Sequence, residues 1–301
     1  MSEQHAAGTV GADSLAPSDN GSVLMPPNGC PPSSVLDFDY EDAATIQGRG
    51  GISSTERTIG GLRLRRAFDA MMGHTGSCLL LGCGAGRHNR AIHAERPDLT
   101  LVGADLSVSA IREAVRAGNG GAYLVADAAH IPAAGNSYDC VLLFDLLEHV
   151  PDVSRCVAEI ARVLTPGGLF HGFIPLEAQP KTLFRALTNS KRIPIHQWKH
   201  DHVGHIQRLT TESVTATFRA QGLEPSDLSY SFHLLGQVHD IVDYWGRERL
   251  RHEPEGRSAT VTKAVQRVIF FPTWRLTYWE DTLLKRNPWA TGLHLTAIKR
   301  G

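Results

Sequence analysis

The stretch Leu79-Leu80-Leu81-Gly82-Cys83-Gly84-Ala85-Gly86 decides the fold. The apolar run from Ser77 stops at Gly82, and a run bounded in this way reads as a buried parallel strand. Three glycines alternate directly after it, and a helical stretch follows from about Arg87 to Glu95. Without side chains the backbone can turn tightly there, and a ligand can approach it closely. The N–H groups of the following helix would point at that ligand. The same glycines could instead serve a tight turn with no ligand, since a lone glycine motif is weak evidence. The spacing bears on the ligand. A dinucleotide fingerprint, G-x-G-x-x-G, would need a glycine at position 87, which is Arg87.

Outward from this turn the strand–helix rhythm repeats. Leu99–Asp105, Ala122–Asp127, Tyr138–Phe144 and Leu169–Ile174 read as strands; Val108–Ala117 and Val153–Leu164 read as helices, with a turn at Thr165–Gly168. A helix over about 55–72 precedes them. Such alternation predicts a doubly wound α/β sheet. After Ile174 the rhythm changes. Residues 177–208 show no clear element, Glu212–Gln221 reads as a helix and Leu228–Phe232 as a strand. Residues 234–289 read mostly as amphipathic helix broken at Pro272, and Gly292–Ile298 as a last strand. The tail 1–34, rich in Gly, Ser, Pro, Ala and Asn, is expected to be disordered, leaving one domain over 35–301.

Two carboxylates stand out. Asp105 ends the second core strand, where it could accept hydrogen bonds from both hydroxyls of a ribose or serve a helix N-terminus. Asp127 ends the third, beside backbone N–H groups that suit an adenine edge; alone it would read as a turn residue. Three features at the carboxyl ends of three successive strands are hard to obtain by chance, and open α/β sheets bind ligands at that edge.

The residues from Leu79 to Ile174 resemble the S-adenosylmethionine (SAM) binding core of class I methyltransferases, in the broad group of quinone and small-molecule methyltransferases. The resemblance is carried by LLLGCGAG at 79–86, VGADLS at 102–107, ADAAHIP at 126–132, YDCVLLFDLLEHVPD at 138–152 and LTPGGLF at 164–170. GHIQRLTTESV at 204–214 is also similar to that group. It implies a seven-stranded Rossmann-like sheet with its last strand antiparallel, and a mainly helical cap formed by about 177–208 and 234–289. It implies SAM as cofactor, with the backbone of Gly82, Cys83, Gly84 and Gly86 along its methionine part. Asp105 would hold the ribose, Leu106 would pack near the adenine, and Asp127 with the Ala128 N–H would read it. Phe144 to His149 would line the methyl group. Many relatives carry an acid two residues before the first motif glycine; here that residue is Leu80.

Methyl transfer from a sulfonium is an in-line displacement that rewards alignment and exclusion of water. A phenol, hydroxyl or ammonium acceptor must also lose a proton, so a general base is needed, and His205 is the first candidate, with His149 second. The run His200-x-His202-x-x-His205 with Asp201 raises a metal site, but no second ligand cluster accompanies it and no metal is expected.

The chain has 301 residues, 42% hydrophobic and 20% charged, with a formal net charge of −1. That balance, with no appended nucleic-acid module, argues against RNA as partner. Five cysteines without a CxxC pair fit a reducing, cytoplasmic location. The N-terminus carries no secretory signal, and no stretch is apolar enough to span a bilayer. Leu234, Leu235, Val238, Ile241, Val242 and Trp245 follow helical spacing, as do Val265, Val268, Phe271, Trp274, Trp279, Leu283 and Leu284. Core packing of cap helices is the preferred reading. The alternative, a greasy pocket or an interfacial helix, rests on the interleaved Arg267, Arg275, Lys285 and Arg286. A small-molecule acceptor with a sizeable apolar part follows. Competing functions are a catalytically silent SAM-binding regulator or scaffold, favoured only by Leu80, an RNA or protein methyltransferase, and a dehydrogenase, which Arg87 opposes.

Overall fold

The computed structural model describes residues 23–24, 38–42 and 44–301. Eight strands form one sheet: β1 (Val23–Leu24), β2 (Gly76–Leu81), β3 (Leu99–Asp105), β4 (Ala122–Val125), β5 (Tyr138–Phe144), β6 (Leu164–Pro175), β7 (Leu223–Ser231) and β8 (Gly292–Lys299). Their spatial order is β1-β4-β3-β2-β5-β6-β8-β7. The strands from β1 to β6 pair in parallel, while β8 runs antiparallel to both neighbours, β6 and β7. This is the doubly wound seven-stranded sheet expected, with a two-residue strand added at one edge. Of the tail 1–34, only that strand lies among the described residues, where Val23 and Leu24 pair with Tyr123 and Leu124.

Alternation of side chains along each strand makes two cores. Leu79, Leu81, Val141, Leu143 and Phe170 bury on one face, and Cys78, Leu80, Cys140, Leu142 and Leu169 on the other. The second face is covered by α1 (Ile59–Ala70), α2 (Arg87–Glu95) and α3 (Val108–Ala117), the first by α4 (Val153–Val163) and α7 (Thr211–Ala220). Leu80 is fully buried among apolar neighbours. Side-chain caps start α1, α3 and α4: Thr58, Ser107 and Asp152 accept the N–H of Gly61, Ala110 and Arg155.

Several local expectations need correction. Thr165–Gly168 is not a turn between elements but an irregularity inside β6; the register jumps from Tyr138↔Leu164 to Cys140↔Leu169, with Gly167 at φ +77. The stretch 177–208 contains α5 (Leu183–Ala186) and α6 (Ile195–Val203), whose burial rests on tertiary contacts rather than on a clear apolar period. Phe184, Ile195 and Trp198 pack there against Tyr244 of α8 (Leu234–His252). The last helix, α9 (Arg257–Leu283), runs unbroken through Pro272, which sits on its exposed face. Nor does the apolar stripe of α9 pack into a core: Val265, Val268, Phe271, Trp279, Leu283 and the following Leu284 are exposed, while Thr262, Thr273, Thr277 and Asp281 face inward.

Candidate functional site

A cavity of about 710 Å³ opens at the carboxyl edge of β2, β3, β4 and β5 and continues under α6 and α8. That size suits a small-molecule site. Its floor includes Gly82, Cys83 and Gly84 after β2, Asp105 and Leu106 after β3, Asp127 and Ala128 after β4, and Phe144 of β5. Of the residues named from sequence for cofactor contact, Gly86 does not line it, nor do Leu147 and Glu148 of the stretch 144–149, which are buried behind the wall. The Gly86 φ of +79 starts α2, and a Cβ there would come within 2.5 Å of the Tyr123 hydroxyl. Gly86 therefore serves the turn and the packing behind the loop.

Gly84 is the point where another backbone segment presses closest on the loop. It sits at φ +53, and a Cβ would meet the Gln47 carbonyl oxygen at 2.6 Å. The neighbouring Ala85 N–H donates to that same oxygen at 2.8 Å. The glycine loop is thus clasped from above by the segment 38–48, which sequence reasoning left unassigned. Glu41 of this strap takes the N–H of Val108 at 2.7 Å and of Ser109 at 2.9 Å, capping α3 with its charge.

Asp105 is both ribose candidate and local organiser. One carboxylate oxygen accepts the Gly84 N–H at 2.7 Å, the other the Ser107 N–H at 3.0 Å. Burial pushes its carboxyl above the ordinary aspartate range, and those two N–H groups oppose the push. Each oxygen keeps a second lone pair for a ligand hydroxyl. Asp127 spends one oxygen on the Ala129 N–H at 2.8 Å. Phe144 stacks on His88, whose ring centroid lies 4.5 Å away.

Beyond Phe144 the cavity turns polar. Asp145, at φ +52, pairs its carboxylate with Arg63, whose guanidinium lies 3.7 Å over the Phe173 ring. Arg63 was not singled out from sequence, and Asp145 only as part of the stretch 144–149; its positive φ marks it as held in a strained conformation.

His149 and His205 come together, 55 and more residues of intervening chain notwithstanding: their rings meet edge-on at 4.8 Å. His205 Nδ1 lies 2.5 Å from Glu177 Oε1, so Nδ1 carries the proton and Nε2 the lone pair. Burial pushes the His205 imidazole below the ordinary histidine range, and Glu177 pulls the other way. His149 Nδ1 lies 3.2 Å from the Gly204 carbonyl, which can only accept, so this ring too is protonated at Nδ1; the Tyr40 hydroxyl sits 3.1 Å from the same atom. Burial, then the facing His205, lowers the His149 pKa to about 3.

The two Nε2 atoms face one carboxyl. Glu148 Oε1 is 3.6 Å from His149 Nε2 and 3.8 Å from His205 Nε2, beyond hydrogen-bond length. Burial and then Asp145 raise the Glu148 pKa well above the usual carboxylate range, and neither oxygen has a hydrogen-bond partner. Glu148, His149 and His205 each offer a ligand atom within 4.8 Å of the others, a grouping in which a metal ion could sit. It is not the grouping raised by the His200, His202, His205 spacing. His200 turns to Asp201 and His202 to Glu248, each at 3.0 Å.

Glu177, just past the end of β6, is the keystone that the sequence did not flag. Its second oxygen takes His196 Nδ1 at 2.8 Å, and buried Lys199 sits 3.6 Å away, with Asp240 equally far on the other side. Burial alone would raise the Glu177 pKa, but Lys199 and then His196 and His205 hold it well below the carboxylate range. Burial disfavours charge on Lys199, yet Glu177 and Asp240 more than offset it.

Residues 79–171 match the family described as a methyltransferase domain. The chain is 35% identical over 128 residues to a ubiquinone/menaquinone biosynthesis C-methyltransferase of Desulfotalea psychrophila, spanning 41% of this chain and 52% of that one. It is 26% identical over 196 residues to a ubiquinone biosynthesis O-methyltransferase of Bordetella avium, covering 62% of this chain and 73% of that one. Its fold is like that of geranyl diphosphate C-methyltransferase from Streptomyces coelicolor A3(2), solved with Mg2+, geranyl-S-thiolodiphosphate and S-adenosyl-L-homocysteine. That likeness has a TM-score of 0.52 at 13% identity, over 80% of this chain and 76% of that one.

Proposed function

We propose that this chain, which carries a class I SAM-dependent methyltransferase domain, transfers a methyl group from SAM to an oxygen or carbon atom of a small, partly apolar acceptor. The observation that carries the reading is His205, held by buried Glu177 at 2.5 Å and lining the same cavity as the glycine loop and Asp105.

The residues present fit an adenosyl sulfonium. Asp105 has lone pairs left for both ribose hydroxyls, and Leu106, Asp127 and Ala128 form the wall where an adenine belongs. Leu80 is buried in the core and cannot reach a ligand; Asp145, beside Gly82 through its neighbour Leu146, is the carboxylate placed to take the amino group. When bound, SAM supplies an already electrophilic methyl group. The chain's own task is alignment and proton removal. Glu177 fixes the His205 proton on Nδ1, leaving Nε2 to take the acceptor's proton at the cavity wall. Burial keeps the ring neutral at neutral pH, as a base must be. Helices α6 and α8 exclude water, and Phe173, Val203, Phe232 and Tyr244 offer the acceptor an apolar surface. Relatives acting on quinone precursors are consistent with such an acceptor.

A second reading rests on the unpartnered oxygens of Glu148: with His149 and His205 it would hold a divalent cation, which would itself activate the acceptor. One experiment serves both. Methyl-labelled SAM is incubated with the protein and fractionated extract, with and without chelator, and labelled products are identified by mass. Chelator-resistant labelling that disappears in His205→Ala supports the base. Chelator-sensitive labelling supports the cation, and labelling that survives His205→Ala and His149→Ala rejects both.

A further inference from the structure

Helix α9 presents an apolar stripe to solvent. Val261, Val265, Val268, Leu276, Trp279 and Leu283 are all exposed, Val268 at 73% and Leu283 at 80%. At 3.6 residues per turn they fall within an arc of roughly 80°. The charge beside the stripe has one sign. Arg257 and Arg275, and further round on the same side Arg267, are exposed, whereas the helix's two acids turn inward. Glu280 accepts the Leu235 N–H, and Asp281 those of Phe232 and His233.

Next to the stripe, α8 and α9 enclose an open groove of about 680 Å³ whose lining includes Arg247, Arg267, Arg275, Phe270 and Phe271. Its one lining carboxylate, Asp243, is paired with Arg247 at 2.7 Å. Arg267 and Arg275 meet no carboxylate within 4.0 Å among the described residues, although Arg275 lies over the Phe271 ring. Arg247 also lines the main cavity.

We propose that this face docks on a membrane surface of anionic phospholipid, with α9 lying in the interface and the arginine groove taking a phosphate headgroup. The helix has the parts such a role needs: apolar side chains on one side, basic ones along one edge of them, and no exposed acid of its own. No helix of the described residues is long and apolar enough to cross a membrane, so the contact is peripheral. A second copy of the chain is the poorer occupant. Two-fold pairing of α9 with itself would set one basic flank against the other, and like charges repel. Because Arg247 belongs to both lining sets, a headgroup in the groove lies beside the mouth of the main cavity, and an amphipathic molecule could pass from bilayer to site without crossing bulk water.

The test is flotation of the full chain with vesicles of phosphatidylcholine alone and of phosphatidylcholine with phosphatidylglycerol. The protein is expected to float only with the anionic vesicles, and to be released by high salt. Arg267→Gln with Arg275→Gln should weaken vesicle affinity about 25-fold, at about fivefold for each charge. Val268→Ser with Leu283→Ser should abolish flotation; both positions are exposed, and circular dichroism confirms that the variants fold. The proposal fails if the protein floats equally on neutral vesicles, stays off both kinds, or binds as tightly after the arginine changes. It also fails if light scattering finds a dimer that Val268→Ser dissociates and the protein does not float.

Discussion

Removing the Asp105 carboxylate is the sharpest test of the cofactor cradle. In Asp105→Ala, a bound ribose loses two hydrogen bonds to a charged acceptor, each worth about 1.5–3 kcal/mol. The loss of at least roughly 3 kcal/mol weakens binding about 100-fold or more. The fold suffers too, since the Gly84 and Ser107 N–H groups, at 2.7 and 3.0 Å, lose their acceptor. Orphaning them costs roughly 1–3 kcal/mol each where water cannot reach. The two effects separate in a thermal melt run with and without S-adenosylhomocysteine, which binds without turning over. At 100 times its Kd, a ligand stabilises the parent by about 2.7 kcal/mol, and the variant, at equal concentration, by about 0.4 kcal/mol. At roughly 2 °C or more per kcal/mol, the ligand-induced rise in Tm falls from about 5 °C to about 1 °C. Titration calorimetry gives the Kd directly. Asp105→Asn, which keeps one acceptor oxygen, guards against a variant that merely fails to fold. A folded variant that binds the ligand as tightly as the parent would refute the cradle.

His205→Ala should lower turnover by about 10²–10⁴-fold with SAM affinity unchanged, and Glu177→Gln should act in the same direction by freeing the ring; single-turnover assays with titration calorimetry separate the two quantities. Because burial holds His205 below the ordinary histidine range, activity should persist on acidification past the pH where a free imidazole protonates, and a pH–rate profile checks this. Stability carries the matching sign at His149, whose pKa falls to about 3 in the fold. Between that value and the ordinary 6.5 the unfolded chain binds the proton and the folded one does not, so stability falls as pH drops through this window, by at most about 5 kcal/mol. Denaturant titrations at stepped pH would show a flatter slope in His149→Gln. Gly84→Ala should cost at least about 1–2 kcal/mol from its left-handed φ, with further loss from the Cβ clash on Gln47, read as a lower urea midpoint.

The sheet was legible because it is written in local patterns: apolar runs of strand length, glycine stops, and capping residues such as Ser107 and Asp152 at the expected positions. The glycine loop, Asp105 and Asp127 followed from their places at strand ends, and Phe144 from the resemblance to methyltransferases. Glu177 was harder, because its importance lies in contacts with His196, Lys199 and His205 across some 20 to 30 residues, and no periodicity records such contacts. A search of the residues just past β6 for a carboxylate would have found it. The strap, residues 38–42 and 44–48, has neither strand nor helix pattern; its hydrogen bonds to other elements and the packing of Ile46 on Ala85 and Ala110 hold it. The α9 stripe was visible as helical spacing, but periodicity cannot say whether an apolar face meets protein or solvent.

The same strap bears on how quickly ligand can be exchanged. Five hydrogen bonds fasten it over the cavity: two from α3 to Glu41, one from Ala85 to Gln47, one between Tyr40 and His149, and one from the Tyr40 hydroxyl to the Gly204 carbonyl. At about 1 kcal/mol net for each, peeling it back costs roughly 5 kcal/mol before the burial of Ile46 is counted, which leaves the mouth uncovered at most about one part in 5,000 of the time. Escape of spent cofactor past the strap is slowed by this factor on top of the ligand's own grip, and hydrogen exchange at the Val108 and Ser109 amides should report how often the strap opens.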